Sequence, residues 1–278
     1  MSKLFGLFND KTVNNDPTEK PPVIAITAEK GGVGKTTTAV NLAANLVELK
    51  GLKVLLVDMD PQGHVSEALK QFITEKPMRS LSETLLARKP QFIDSIIQTD
   101  IKGLYAATAD RSLRQAESVL AGRIGKEFVL GKALDSVLSS FDCVILDSPP
   151  NLGNLTLNVV VSASHLIIPV DMSPLAAMAL GNMMQTLDTI AYSLGRAPKT
   201  LGILRTKVDR RRIKVNREVG QKLKQDFGDL LFDTMIPENT SVTRSQIAGR
   251  PLMDFDSRSP AAKAYEAFTT EAFDRLKA

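Results

Sequence analysis

The eight residues Lys30-Gly31-Gly32-Val33-Gly34-Lys35-Thr36-Thr37 constrain this chain more than any other segment. An apolar run, Val23-Ile24-Ala25-Ile26, precedes them, and Ala39, Leu42, Ala43, Leu46 and Leu49 follow at helical spacing. Strand, glycine loop and helix in that order make a phosphate-binding loop. Glycines let successive backbone N–H groups curl around an anion, and the helix N-terminus adds positive partial charge. In such a loop Lys35 reaches the β- and γ-phosphates of a nucleotide, and the Thr36 hydroxyl ligates Mg²⁺. Gly-Gly followed by charge is also what an ordinary turn looks like. The strand before and the helix after favour nucleotide binding.

A chain of 278 residues is long enough for one α/β domain with a substantial core. No apolar run reaches the roughly 20 residues needed to cross a bilayer. The opening segment, Met1 to Phe8, is too short for a signal-peptide core and lacks a small-residue cleavage site. One cysteine, Cys143, cannot form an intramolecular disulfide; it lies in an apolar strand and is expected to serve packing in a reducing cytoplasm. The net charge of +4 says little, but its distribution says more. Between Arg205 and Lys224 nine basic residues stand against only Asp209 and Glu218. Such a run is either a solvated face or an anion-binding patch.

Residues 1–20 are polar and interrupted by proline, and read as a mobile tail ahead of a single domain over 21–278. Within the tail, Leu4-Phe5-Leu7-Phe8 is either a short anchor or a cluster that docks on the body of the protein. From Val23 onward, strand-like runs alternate with helical patterns. The strands are expected over 23–27, 54–58, 104–107, 143–147, 166–170, 201–204 and 231–235. Helices are expected over 36–50, 65–72, 80–87, 111–120, 126–138, 155–162, 176–194, 216–227, 241–248 and 260–277. Continuous apolar strands between helices predict a mostly parallel, twisted α/β sheet covered on both faces, with ligands at the carboxyl ends of its strands.

Hydrolysis needs a placed metal and an oriented water. The second strand runs into Asp58-Met59-Asp60-Pro61-Gln62-Gly63, and period-two alternation turns Asp58 and Asp60 to the same side. Asp58 is then a candidate for the Mg²⁺ shell and Asp60 for polarising the attacking water. Alone, the segment reads equally well as a solvated turn. The run Cys143-Val144-Ile145-Leu146 ends at Asp147, the four-apolar-then-acid arrangement that sets a carboxylate near Mg²⁺.

The loop has Glu29 where the ordinary G-x-x-x-x-G-K-T pattern begins with glycine. Read as K-G-G-V-G-K-T-T, it resembles the deviant Walker A motif of the ParA/MinD family of P-loop ATPases. Asp58 to Gly63 resembles that family's D-x-D-P-Q-G switch, and Asp147-Ser148-Pro149-Pro150 its I-D-x-P-P continuation. The resemblance extends from about Val23 to the C-terminus. It implies that Lys30 reaches across an ATP-dependent homodimer to the other copy's nucleotide. It also implies that Asp60 is the hydrolytic aspartate, with Lys30 and Lys35 completing the catalytic set. Thr206-Lys207-Val208-Asp209 looks like a relaxed N-K-x-D base motif, with threonine where guanine-specific proteins carry asparagine. Ile236-Pro237-Glu238-Asn239 resembles the stretch that packs around adenine in ParA proteins, so Asp209, Pro237, Glu238 and Asn239 are the candidate base contacts.

The same resemblance implies nonspecific binding to double-stranded DNA of the nucleoid. Hydrolysis would be stimulated by a ParB-like or cargo-adaptor protein, and the location cytoplasmic and nucleoid-associated. Candidate phosphate-neutralising residues are Arg205, Arg210, Arg211, Arg212, Lys214, Arg217, Arg244 and Arg250. Ser241 and Glu238 stand where relatives carry basic residues, so the DNA face is expected to be shifted. A MinD-like membrane switch calls for a basic amphipathic C-terminal helix, whereas residues 264–278 are mixed in charge. A metal-cluster ATPase resembling nitrogenase iron protein calls for cysteine thiolates that one cysteine cannot supply.

Overall fold

The computed structural model describes residues 20–278, so the tail and its Leu4-Phe5-Leu7-Phe8 cluster lie outside the described residues. In chain order the elements are β1 (Val23–Ile26), α1 (Lys35–Lys50), β2 (Val54–Asp58), α2 (His64–Ala68), α3 (Leu81–Leu86), β3 (Ile97–Gln98), β4 (Leu104–Ala107), α4 (Leu113–Leu120) and α5 (Val129–Leu134). They continue with β5 (Cys143–Asp147), α6 (Asn154–Ser162), β6 (His165–Asp171), α7 (Ala176–Leu194), β7 (Lys199–Val208), α8 (Ile213–Phe227), β8 (Leu231–Pro237), α9 (Thr240–Ala248), α10 (Leu252–Asp256) and α11 (Pro260–Lys277).

The strands form one eight-stranded sheet in the order β3-β4-β2-β5-β1-β6-β7-β8. All neighbours run parallel except β3 with β4. Period-two alternation divides the core into two layers. Val23, Ala25, Leu55, Val57, Val144 and Leu146 face the layer that includes Leu113 of α4, Leu130 of α5, Val159 of α6, Leu180 of α7 and Leu223 of α8. Ile24, Ile26, Val54, Leu56, Cys143 and Ile145 face Leu42 of α1, Val65 of α2, Leu252 of α10 and Phe268 of α11. With both faces covered, the strands read as unbroken apolar runs, which is why sequence located most of them.

Differences from the sequence reading have local causes. The strand 143–147 is fifth rather than fourth, because β3 adds a two-residue antiparallel flank too short to leave a pattern. The helix expected over 65–72 stops at Ala68. Beyond it Gln71 N–H donates to the Gly249 carbonyl and the Phe72 carbonyl accepts from Asp100 N–H, which removes both from a helical ladder. The helix expected over 126–138 breaks into α5 and two flanking turns of 3₁₀ helix. β7 reaches from Lys199 to Val208, well past the 201–204 core, because its outer residues pair with β6 and β8. Helices α7 and α11 have the bounds that periodicity predicts. For α11, Ser259 accepts the Ala262 N–H and Pro260 occupies the first turn, a standard start signal.

The back of α1 is anchored by polar contacts inside the core. Thr38 Oγ1 and Tyr265 OH lie 3.3 Å apart, and Asn45 Nδ2 donates to Thr269 Oγ1 at 3.3 Å. Asn41 Oδ1 accepts the Leu252 N–H at 2.8 Å. The helix that carries the glycine loop is thereby joined to the last two helices of the chain.

Candidate functional site

The glycine loop rises from the carboxyl end of β1, near the middle of the sheet, and leads directly into α1. Gly34, just before the helix, has φ of +91°, which a Cβ would strain. No side chain caps α1, so its first N–H groups keep their donor capacity for an anion. Lys35 is buried, and its ammonium donates to the carbonyls of Ala28 and Lys30, both at 3.2 Å, which bends the loop over it. Burial lowers its pKa, and the charges of Asp147 and Asp60 oppose that shift. Thr206 Oγ1 donates to the Val33 carbonyl at 2.8 Å and ties the loop to β7.

Three carboxylates converge on this end of the sheet. Asp58 and Asp147 are register partners on β2 and β5, and both are fully buried. Burial drives Asp147 up to about 7, and the Asp60 charge adds to the rise; the Thr36 hydroxyl, the Lys35 charge and the Ser148 N–H oppose it. Thr36 adjoins Asp147, yet neither carboxylate oxygen of Asp147 has a hydrogen-bond partner of ordinary geometry. Two orphaned oxygens beside a hydroxyl fit a hard divalent cation that keeps part of its water shell.

Asp58 is differently employed. Its Oδ1 accepts the Asp60 N–H at 2.9 Å and its Oδ2 accepts the Val65 N–H at 3.0 Å, so it shapes the turn that leads into α2. Burial and the neighbouring Asp147 charge raise its pKa well above the ordinary value. Asp60 lies beyond the strand, accepts the Gln62 N–H at 3.0 Å, and borders a cavity of about 500 Å³. Gly31, Gly32, Gly34, Lys35, Thr36 and Thr37 border the same cavity. Across it, Gln246 of α9 donates to Thr37 Oγ1 at 2.8 Å and closes one wall.

The expected base contacts are placed otherwise. Asp209, Pro237, Glu238 and Asn239 do not border this cavity. Hydrogen bonds from Arg211 hold the Asp209 carboxylate down to about 2, with the Arg212 charge adding to them. Glu238 N–H donates to the Val208 carbonyl, and Asn239 Oδ1 caps α9 by accepting the Ser241 N–H at 2.8 Å. These residues position α9, and α9 supplies the wall through Ser245 and Gln246, with Lys207 and Arg250 beside them. Lys207 belongs to the same Thr206-Lys207-Val208-Asp209 segment as Asp209.

Lys30 points away from the cavity. Its ammonium lies 2.6 Å from Asp171 Oδ2 and 3.3 Å from Ser173 Oγ. Asp171 ends an apolar run just as Asp147 does, and that signal was present in the sequence. Among the basic residues, Arg205 is half-buried and donates to the Phe232 and Asp233 carbonyls. Lys214 and Arg217 are exposed on one face of α8, opposite the buried Val219 and Leu223. Arg210 is exposed just ahead of that helix, Arg244 lies over the Phe255 ring, and Arg250 pairs with Asp254.

Known proteins resemble the chain over most of its length. The AAA domain family matches residues 22–198. The sporulation initiation inhibitor protein Soj of Bacillus subtilis is 35% identical over 243 residues, which cover 87% of this chain and 94% of Soj. The chromosome partitioning protein ParA of Caulobacter vibrioides is 31% identical over 255 residues, covering 91% of this chain and 94% of ParA. The crystal structure of cobyrinic acid a,c-diamide synthase from Mycobacterium smegmatis, with bound ADP and magnesium, has a TM-score of 0.77 at 31% identity. That match covers 93% of this chain and 96% of the other.

Proposed function

The chain belongs to the ParA/MinD family of P-loop ATPases, and from that premise we propose that it is an ATP-driven dimer switch of the partition and positioning type. The observation that carries this reading is a convergence on one cavity. The uncapped start of α1, the buried Lys35 ammonium and the Asp60 carboxylate all meet there, with orphaned Asp147 behind them.

In this reading ATP lays its phosphates against the backbone of residues 31–37. Thr36 would ligate Mg²⁺, and Asp147 would hold the ion's shell from β5. Asp58, whose oxygens both accept backbone N–H groups, supports the turn that presents Asp60 to the attacking water. When bound, the ion would neutralise charge on the phosphates, whose position the residues of the loop would fix. Lys30 leaves Asp171 and crosses to the nucleotide of a second copy. An activating protein of the ParB or cargo-adaptor kind stimulates turnover.

The client surface is the backbone of double-stranded DNA. Arg210, Lys214 and Arg217 form its centre, with Arg211 and Arg212 close by and Arg244 and Arg250 as outlying candidates. Arg205 is left out of this surface because β8 carbonyls engage its guanidinium. The choice of DNA over a membrane surface is supported by α11, whose apolar residues Ala261, Tyr265, Phe268 and Ala272 are buried. Among the described residues no helix is long and apolar enough to cross a membrane. A cytoplasmic, nucleoid-associated location follows from this reading.

The test is a pair of measurements on the full chain. ATP should drive dimerisation of the wild type but not of Lys35→Ala, read by light scattering. The ATP-bound dimer should shift unrelated duplexes equally, and Arg211→Glu with Arg212→Glu should weaken binding and flatten its salt dependence. Full retention by that variant would remove Arg211 and Arg212 from the reading.

A further inference from the structure

Residues 148–153 join the end of β5 to α6 and contribute to the wall of the nucleotide cavity. Pro150 borders the cavity, and a Cβ on Gly31 would lie 3.9 Å from the Pro150 Cβ, so this segment packs against the glycine loop. It starts beyond the buried Asp147 and ends at Gly153, the residue ahead of α6. The Asn151 carbonyl accepts the Thr156 hydroxyl, which folds the segment back onto the first turn of that helix.

A second helix holds its far end. Glu117 extends from α4, and its Oε1 accepts the Leu155 N–H at 3.3 Å, across 38 residues of sequence. Gly153 has no side chain with which to cap α6, so a carboxylate from elsewhere serves one of the first N–H groups. A Cβ on Gly153 would collide with Glu117 Oε1 and lie 3.2 Å from its Cδ. The Gly153 backbone, with φ of −88° and ψ of −174°, is extended and open to any residue. Its missing side chain therefore serves the passage of the Glu117 carboxylate rather than a turn. Glu117 itself does not border the cavity.

We infer that Glu117 is a positioning residue of the nucleotide site: from α4 it latches the 148–153 segment and keeps Pro150 against the glycine loop. This rests on the nucleotide-site reading above. Where a wall of a site is in place in only a fraction of molecules, the apparent affinity falls by that fraction. One hydrogen bond to a carboxylate is enough to set that fraction.

The experiment measures ATP affinity by calorimetry on the full chain, with melting points alongside. Glu117→Ala should bind ATP about three- to fivefold more weakly. Glu117→Gln, which keeps an oxygen for the Leu155 N–H, should bind as the wild type does. Gly153→Ala should show the same loss as Glu117→Ala, because its methyl group displaces the carboxylate. Added to Glu117→Ala, Gly153→Ala should cost nothing further, since the space is then vacant. Unchanged ATP affinity in Glu117→Ala overturns the inference, and with a lowered melting point it makes the contact a structural one. Losses that add in the double variant, or an equal loss in Glu117→Gln, overturn it as well. Failure of the underlying reading has a different signature, since the wild type itself would then bind no ATP.

Discussion

The Lys30 ammonium and the Asp171 carboxylate form an ion pair at 2.6 Å, 141 residues apart in sequence, at the carboxyl end of β6. Burial works to raise the Asp171 pKa, but hydrogen bonds from Lys30 and Ser173 outweigh it and hold the carboxyl below its usual range. Lys30 remains about half exposed, so the pair is worth no more than about 1 kcal/mol. Such a contact holds the lysine at rest and yields readily to a stronger anion.

Asp171→Asn removes the charge that holds Lys30. ATP-dependent self-association should tighten by up to about fivefold, the factor that 1 kcal/mol represents. Sedimentation velocity across a concentration series measures it. Lys30→Ala should instead abolish the dimer while monomers still bind ATP. A dimer unchanged in both variants would leave the lysine without the crossing role.

Asp60 borders the cavity, whereas Asp58 is fully engaged by backbone N–H groups. Asp60→Asn should therefore keep ATP binding and slow steady-state hydrolysis by about 10²-fold or more. Phosphate release assays and equilibrium binding separate the two effects. Normal turnover would move the water-orienting role to another residue.

Asp147 gives the nucleotide-free protein a pH signature. Its folded pKa of about 7 lies above the ordinary 3.8, so between these values the folded chain holds a proton that the unfolded chain has released. Its contribution is fully present below the unfolded value and is lost as pH rises through about 7. Asp58 shifts in the same direction. Urea denaturation in the presence of a chelator should show stability falling from pH 4.5 to 7.5, by on the order of a few kcal/mol. Asp147→Asn should flatten that slope.

The outer part of the sheet offers a test of packing. A Cβ on Gly202 of β7 would come within 2.5 and 2.8 Å of two Phe232 ring carbons and 2.9 Å of Arg275 Nη1. Arg275 covers that ring at 4.3 Å and donates to the Leu201 and Leu231 carbonyls. Gly202→Ala should cost about 1–3 kcal/mol, read as a melting point lower by several degrees, with nucleotide affinity unchanged.

Sequence carried the architecture wherever one residue type answered to one local requirement. The apolar runs of β1, β2 and β5 marked the buried strands, and the glycines before Lys35 marked the loop. Side-chain direction at long range was not legible. Nothing local to Lys30 shows that Asp171 receives it, and nothing near Thr37 shows that Gln246 arrives from 209 residues away. The far wall of the cavity was hidden for the same reason. Asp209 has the composition of a contact, but two neighbouring arginines neutralise it, and the cavity wall comes from Lys207 and α9.

The polar seam between α1 and the final helices also orders events during synthesis. Residues 35–50 leave the ribosome more than 200 positions ahead of Tyr265 and Thr269. Until those partners emerge, Thr38 and Asn45 have no counterpart on the back of the helix, however early the parallel strands assemble. The support behind the glycine loop is therefore completed by residues more than 200 positions further along the chain. A nascent chain halted before α11 would carry a complete glycine loop on a helix that lacks its polar contacts at the back.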